Sequence, residues 1–415
     1  MNLLDSLKYR DYRLLWLASL SSGGAAWALI VTRAWLVFTL SGSSVWVGLV
    51  TFTAMAPMFL APPIAGYMAD KFNRRNLMAI LFTVQFLHNA VLVVLALTDV
   101  ITVWHIVLLS FINGFARASQ MPAAQALLPN LVHKDDLLNA ISLNAATTQG
   151  SRLVGPALVV PLMVLFGEVG AFATCTLFYV FSFVLVLNIK TVSYGSMDKR
   201  ESAFGNFFAG LKFVYGHPLV LPLMITVFLH CCLTMSFESL LPVLAEGFSS
   251  DGGVDGGVDG GVVVTSLMMS IGAGALILVL AIAGIKNMIV RGRVLLVAAL
   301  FSGFGSVLVG VAPTFLLALC GCFVMGGGQA AYMAISGAVV QMSSPDSMRG
   351  RVMSVYLWHI GGMMASFNLI NATIADNIGA NIVFVVTGLV FILTVFVSLL
   401  SKPMRDLYIR GKVEY

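Results

Sequence analysis

Arg33, Arg117, Arg152, His230 and Glu238 stand inside long apolar runs of the chain. A charge in such a setting costs on the order of 3 kcal/mol or more unless it is paired or hydrated, so each residue invites a functional reading. An arginine there offers a rigid fork of donors to a carboxylate or other anion. A lone carboxylate there can pass between charged and neutral forms and so carry a proton. Three arginines against the single Glu238 make the interior electropositive, which favours a substrate with negative or strongly polarisable groups. On a regular helix, His230 and Glu238 would lie about 80° apart and share a broad face, making His230 a partner or relay. Asn113, Gln120, Asn144, Thr147, Thr148, Gln149, Gln329 and Tyr332 add neutral hydrogen-bonding groups. Trp27, Trp35 and Tyr332 are candidates to stack on a ring, although aromatics in apolar runs serve mostly as packing or interfacial anchors. Arg33 lies near the end of its run, where snorkelling competes with a functional role. His88, beside Gln85 and Asn89, and His359 complete the ionisable set within the runs.

Enzyme chemistry lacks its parts. No nucleophile, base and orienter form a set, and no Gly-rich phosphate loop suggests ATP as fuel. Cys320 and Cys322 point to different helix faces, and Asp135 with Asp136 is the one adjacent acidic pair, a poor metal site. Neither a metal nor a cofactor is called for. The Asp251-Gly-Gly-Val-Asp255-Gly-Gly-Val-Asp259 repeat reads as a flexible acidic loop.

The elements that must position these residues are membrane spans. The 415 residues are 59% hydrophobic and only 10% charged, against about 25% charged in soluble domains. A crossing needs about 20 apolar residues, and twelve windows qualify: Leu14 to Leu40, Trp46 to Ala69, Asn76 to Leu97, Trp104 to Ala126, Asn139 to Phe166, Ala171 to Val192, Leu219 to Ala245, Val262 to Ile285, Val294 to Val311, Thr314 to Val340, Val352 to Ala375 and Asn381 to Leu400. Continuous runs without a period of two predict helices, not a barrel. The first run extends too far for a cleaved signal.

Twenty of the 23 lysines and arginines fall in alternate connections and the termini, and the other three are Arg33, Arg117 and Arg152. The opposite loops hold only acidic charge. This segregation predicts both termini in the cytoplasm, so the net charge of +5 reflects topology and not nucleic-acid binding. Six spans precede residue 193 and six follow residue 218. The predicted organisation is a bundle over 1–193, a cytoplasmic linker over 194–217, a second bundle over 218–401 and a cytoplasmic tail over 402–415. In the linker, Phe204, Phe207, Phe208, Leu211, Val214 and Tyr215 recur at helical spacing, as in a helix lying on a membrane surface. Residues 65–78 align without gaps to 283–296, matching Gly66 with Gly284 and Arg75 with Arg293. Two related six-helix halves are a transporter arrangement, with the site expected between them near mid-membrane.

Within the 65–78 segment, Gly66 permits close helix approach, Asp70 suits a helix N-terminus or an arginine, Asn73 tolerates a left-handed turn, and Arg74 with Arg75 suit an anionic lipid surface. Gly66, Asp70, Lys71, Arg74 and Arg75 match the G-x-x-x-D-[RK]-x-x-R-[RK] turn, and through it the chain resembles the major facilitator superfamily. YRDYRLLWLASLSS, PAAQALLPNLV, NAISL before Gly155-Pro156, GLKFVYGHPLV and RGRVMSV look like its bacterial enterobactin-exporter and macrolide-efflux branch. The resemblance covers essentially the whole chain. It implies an all-α fold of twelve transmembrane helices in two six-helix pseudo-repeats, alternating access, and a cavity lined by helices 1, 4, 7 and 10. It also implies that Asp70 belongs to a latch closing the cytoplasmic side near Arg351. The antiporter pattern on helix 4 is met by Arg117 and Gln120, with Met121 in place of glycine. On helix 5, Gly155 and Pro156 are met, with Val159 and Val160 in place of two glycines, and a glycine beside a proline also predicts bending there. The resulting expectation is proton-driven efflux of an amphiphilic, anionic small molecule by a monomer in the bacterial inner membrane. An importer or lipid transporter of the same fold is the alternative within that class.

Overall fold

The computed structural model describes residues 5–59, 61, 64, 68, 71–133, 136–193, 203–250, 260–285, 287–345 and 348–412. Those residues form helices and connecting turns. The chain divides into two compact units, residues 1–199 with 259–269, and residues 200–258 with 270–415.

Unit 1 opens with α1, Arg10–Ser41, followed by α2, Ser44–Met55, which passes into a 3-10 turn at Ala56–Phe59. Next come α3, Arg74–Leu97, and α4, Val103–Leu127, which starts in a capping box between Thr102 and His105. A helical stretch α5, Leu137–Leu187, has two arms that meet at Gly167, whose φ of 60° reverses the chain. That left-handed backbone is open to glycine at little cost. The Gly155–Pro156 pair lies within the first arm, and Gly167 is the only residue of α5 with non-helical dihedrals. Gly155 instead provides close approach, because a Cβ there would strike the Gly24 carbonyl of α1.

Unit 2 contains α6, Ala203–Gly216, and α7, Val220–His230, which runs into a π-helical turn at Cys231–Met235 before α8, Leu241–Ser250. It continues with α10, Met288–Gly310, α11, Phe315–Met342, α12, Arg349–Ile378, α13, Ala380–Ser398, and α14, Lys402–Arg410. Helix α9, Gly260–Ile282, contributes residues to both units.

Among the described residues, seven helices are, uninterrupted, long and apolar enough to cross a membrane, and a bent pair over 207–235 makes eight. The described parts of the remaining windows are helix that is broken or carries polar residues. The second run changes to a 3-10 turn, the fifth contains Pro156 and Pro161, and the fourth and eleventh carry Arg117, Gln120, His359, Asn368 and Asn371. Polarity and breaks concentrate where the interior must do something other than pack.

Three local readings change with the structure. Asn73 adopts φ −61° and caps α3 through Oδ1, which accepts from the Arg75 N–H at 3.0 Å, so it serves as a cap and not as a left-handed turn residue. Asn287 caps α10 in the same way, accepting from the Ile289 N–H at 2.9 Å. The two caps place Asn73 opposite Asn287, four residues away from the gapless sequence match. The C-terminal tail is also helical and docked: Met404, Leu407 and Tyr408 of α14 are buried, and Gly292 of α10 abuts the Leu407 carbonyl. In the linker, Phe207 packs on Trp358 at 5.8 Å and Val214 is buried, while Phe208 and Tyr215 are exposed. Phe204 lies outside the described side chains.

Candidate functional site

Ser110, Asn113, Arg117 and Gln120 recur at helical spacing, so α4 presents one polar stripe about 15 Å long. Its two ends meet α1. Near one end the buried Arg33 donates through Nη1 to the Ser110 hydroxyl at 2.9 Å and through Nε to the Leu29 carbonyl at 3.3 Å. Near the other, Gln85 Nε2 of α3 donates to Gln120 Oε1 at 3.1 Å, and Gln120 Nε2 donates to the Ser22 hydroxyl at 3.1 Å. Between them stands Trp27, with Arg117 Cζ 5.5 Å and Arg152 Cζ 4.8 Å from its ring centroid. Arg117 is half-buried and, among the described residues, makes neither a hydrogen bond nor an ion pair. Cation–π attraction of this kind contributes about 0.5–2 kcal/mol, which leaves the guanidinium donors unspent.

Around the stripe, several buried polar atoms have no hydrogen-bond partner among the described residues: Gln85 Oε1, both His88 ring nitrogens, Asn89 Oδ1, Asn113 Oδ1 and the Tyr179 hydroxyl. Arg33 is within electrostatic reach of His88 and Tyr179. Each orphaned polar group costs about 1–3 kcal/mol, a penalty that a folded chain carries where water or a ligand completes the site.

Unit 2 spends its polar groups differently. His230 Nε2 lies 2.9 Å from Ser302 Oγ, Ser302 donates to Thr234 Oγ1 at 3.0 Å, and Thr234 donates to the His230 carbonyl at 3.1 Å. This chain of donors leaves His230 to donate from Nε2. Its ring is enclosed by Tyr332 at 4.6 Å and Phe391 at 4.9 Å. Gln329 Nε2 donates to the Thr234 carbonyl at 2.7 Å, and Asn371 Nδ2 donates to the Ser236 carbonyl at 2.9 Å. Asn368 engages Ser239, whose hydroxyl donates to the Asn368 carbonyl at 2.8 Å, and Tyr332 donates to Thr226 at 2.8 Å. Glu238 is buried in the non-helical stretch 236–240 between the π turn and α8. The regular-helix relation between His230 and Glu238 is therefore overturned: the chain unwinds between them, and Ser302 is the partner of His230 Nε2. A proton relay from one to the other has no direct geometry here.

Sequence reasoning missed Ser302, Thr234, Asn368 and Asn371. The spacing of Asn368 and Asn371, three apart in an apolar run, was the available signal.

At the turn before α3, Arg74 donates to the Ala126 carbonyl at 2.8 Å and to the Ser193 hydroxyl at 3.2 Å, and Arg75 donates to the Ile189 carbonyl at 3.1 Å. These arginines tie helix ends together, a structural task beyond the lipid contact expected of them. Lys71 Nζ lies over Phe72 at 5.7 Å. The carbonyl of Arg351 abuts Gly210 of α6. Gly66, Asp70, Asp135, Gln149 and the 251–259 repeat lie outside the described residues or side chains. Among the described residues no three His, Cys, Asp or Glu side chains gather as metal ligands, and the five cysteines form no disulfide.

Multiple apolar helices with a polar, arginine-bearing interior define a multi-pass membrane protein. The family model described as "Transmembrane secretion effector" matches residues 3–407, and the chain belongs to that family of the major facilitator superfamily. It is 24% identical over 409 residues to the multidrug efflux pump Tap of Mycolicibacterium fortuitum, covering 96% of this chain and 97% of that one. It is 25% identical to the staphyloferrin A transporter of Staphylococcus aureus, covering 86% and 87%. It is 22% identical to macrolide efflux protein A of Streptococcus pyogenes, covering 88% and 90%. A peptide transporter solved with sulfate shares the fold at TM-score 0.77 and 10% identity, covering 97% and 96%, and the nucleoside transporter NupG does so at 0.72 and 13%, covering 94% and 100%.

Proposed function

We propose that this protein exports an amphiphilic small molecule with acidic character, by alternating access and in exchange for protons. The observation that carries the reading is the polar stripe Ser110, Asn113, Arg117 and Gln120 facing α1, with three arginines inside the spans of unit 1. The carboxylates among residues 14–192, namely Asp70, Asp99, Asp135, Asp136 and Glu168, all lie in turns between the apolar runs. Relatives named as a multidrug efflux pump and a macrolide efflux protein support export. Segregation of basic residues supports both termini in the cytoplasm and six spans on either side of the 194–217 linker, bacterial relatives support an inner-membrane protein, and the match of Gly66, Asp70, Lys71, Arg74 and Arg75 to the family turn supports a latch there. It works as a monomer.

Glu238 is the proposed proton carrier, since it is the one acidic side chain within the twelve runs apart from those at their ends. In proteoliposomes with an imposed pH gradient, Glu238→Gln abolishes gradient-driven flux and retains binding and gradient-free exchange. Unchanged pH-driven flux in that variant would overturn the proton assignment. Wild-type protein that moves no amphiphile under any gradient would overturn the transport reading. Thiols introduced at 199 and 255 should label from opposite sides, and labelling from one side would sink the orientation.

A further inference from the structure

We infer that Arg117, Trp27 and Arg152 form a receptor for an acidic group of the transported molecule, with Trp27 as the platform that holds the Arg117 fork until that group arrives. The inference rests on the export reading of unit 1 and names the chemistry its substrate must bring. Two guanidinium groups lie on one indole ring, at 5.5 and 4.8 Å from its centroid. An anion that approaches the ring is attracted by both charges at once. Arg117 has its donors unspent, and an incoming carboxylate exchanges the weak ring contact for a bidentate, charge-assisted pair, roughly twice as strong as a neutral hydrogen bond.

The surroundings suit the rest of such a molecule. Asn113, one helical turn from Arg117 on the same stripe, has an orphaned Oδ1, and the orphaned groups of Gln85, His88 and Asn89 line the neighbouring α3. These accept and donate to hydroxyl or amide groups. The receptor therefore selects an organic acid with further polar substituents over a lipophilic cation. Trp27 acts as a specificity residue: phenylalanine retains a face for Arg117, whereas alanine leaves the fork without a support.

The test is equilibrium binding to the full-length protein in lipid nanodiscs, without any gradient. The probes are 2-naphthoate, the matched cation (2-naphthylmethyl)trimethylammonium, and inorganic phosphate. Calorimetry should show 2-naphthoate binding at least tenfold more tightly than the cation. Arg117→Gln should weaken naphthoate at least tenfold, Arg117→Lys should restore part of the affinity, and Trp27→Phe should stay within threefold of wild type while Trp27→Ala does not. Thermal unfolding of each variant confirms that the comparison is between folded proteins. Equal binding of anion and cation, no naphthoate binding, or equal affinity of wild type and both Arg117 variants would overturn the receptor. Phosphate binding as tightly as naphthoate would also overturn it, by showing a site for a small inorganic anion only. Arg117-dependent binding without pH-driven flux removes the proton-coupled reading alone, and pH-driven flux without anion preference removes the receptor alone.

Discussion

The polar interior of unit 1 is left open, and that of unit 2 is closed on itself. In unit 1, Gln85, His88, Asn89, Asn113 and Tyr179 keep buried atoms without partners among the described residues, and Arg117 lies against the Trp27 ring with no hydrogen bond or ion pair among them. In unit 2, the hydroxyls and amides of Thr226, Thr234, Ser302, Gln329, Asn368 and Asn371 all find partners, and Gln329 and Asn371 donate to carbonyls of the π turn and the unwound stretch after α7. His230 Nδ1 and Gln329 Oε1 are among the few exceptions. Polar residues in an apolar run thus have two uses. One holds a broken helix, whose freed carbonyls demand donors in a medium without water. The other awaits a ligand, at a standing cost in stability.

The largest effect that separates these uses is expected at Asn371. It donates to the Cys232 and Ser236 carbonyls, at 3.3 and 2.9 Å. Asn371→Leu strands both acceptors and should lower stability by about 2–5 kcal/mol, seen as lost thermal stability and poor recovery in detergent. A stability within ~0.5 kcal/mol of wild type would show that the unwound segment does not depend on this side chain.

A change of opposite sign is expected in unit 1. Asn113→Leu keeps the branching and heavy-atom count and removes an orphaned oxygen, so stability should be unchanged or raised by up to about 2 kcal/mol, while substrate binding falls severalfold. A destabilisation matching that of Asn371→Leu would erase the distinction between the units.

The smallest effect belongs to Asp136, outside both interiors, where the carboxylate meets Lys8 Nζ at 2.7 Å and the Tyr9 hydroxyl at 2.8 Å. The hydrogen bond from Lys8, then that from Tyr9, holds its pKa below the ordinary 3.8. The stabilisation is present above that ordinary value and is lost as pH falls through the lowered one, so stability near neutral pH is flat. Asp136→Asn should cost little at pH 7, as befits a surface pair, and should reduce by a small amount the difference in unfolding temperature between pH 5 and acid conditions below pH 3, where Asp11 also contributes. An undiminished acid dependence in the variant would assign it to other carboxylates.

Much of this organisation was written in local sequence. Apolar run lengths define helices because a buried backbone must bond to itself, and the alternation of lysine and arginine sets which turns share a side. The arginines, Gln120, His230 and Glu238 were legible as oddities of composition, because a charged or polar residue in an apolar run is conspicuous without any partner in view. Which oddities meet was not legible. Gln85 with Gln120, Arg117 and Arg152 with Trp27, and His230 with Ser302 are separated by 35, 90, 125 and 72 positions, and only helix packing brings them together. The break after His230 was hidden as well, since Cys231–Met235 has ordinary helical composition and its π turn is held by Gln329 and Asn371 from other helices. Sequence alone determined that the chain is a set of apolar helices and which residues are too polar to be idle. Tertiary structure decided which of them hold the fold and which remain available to a ligand, because hydrogen-bond satisfaction is a property of the packed neighbourhood and not of the residue.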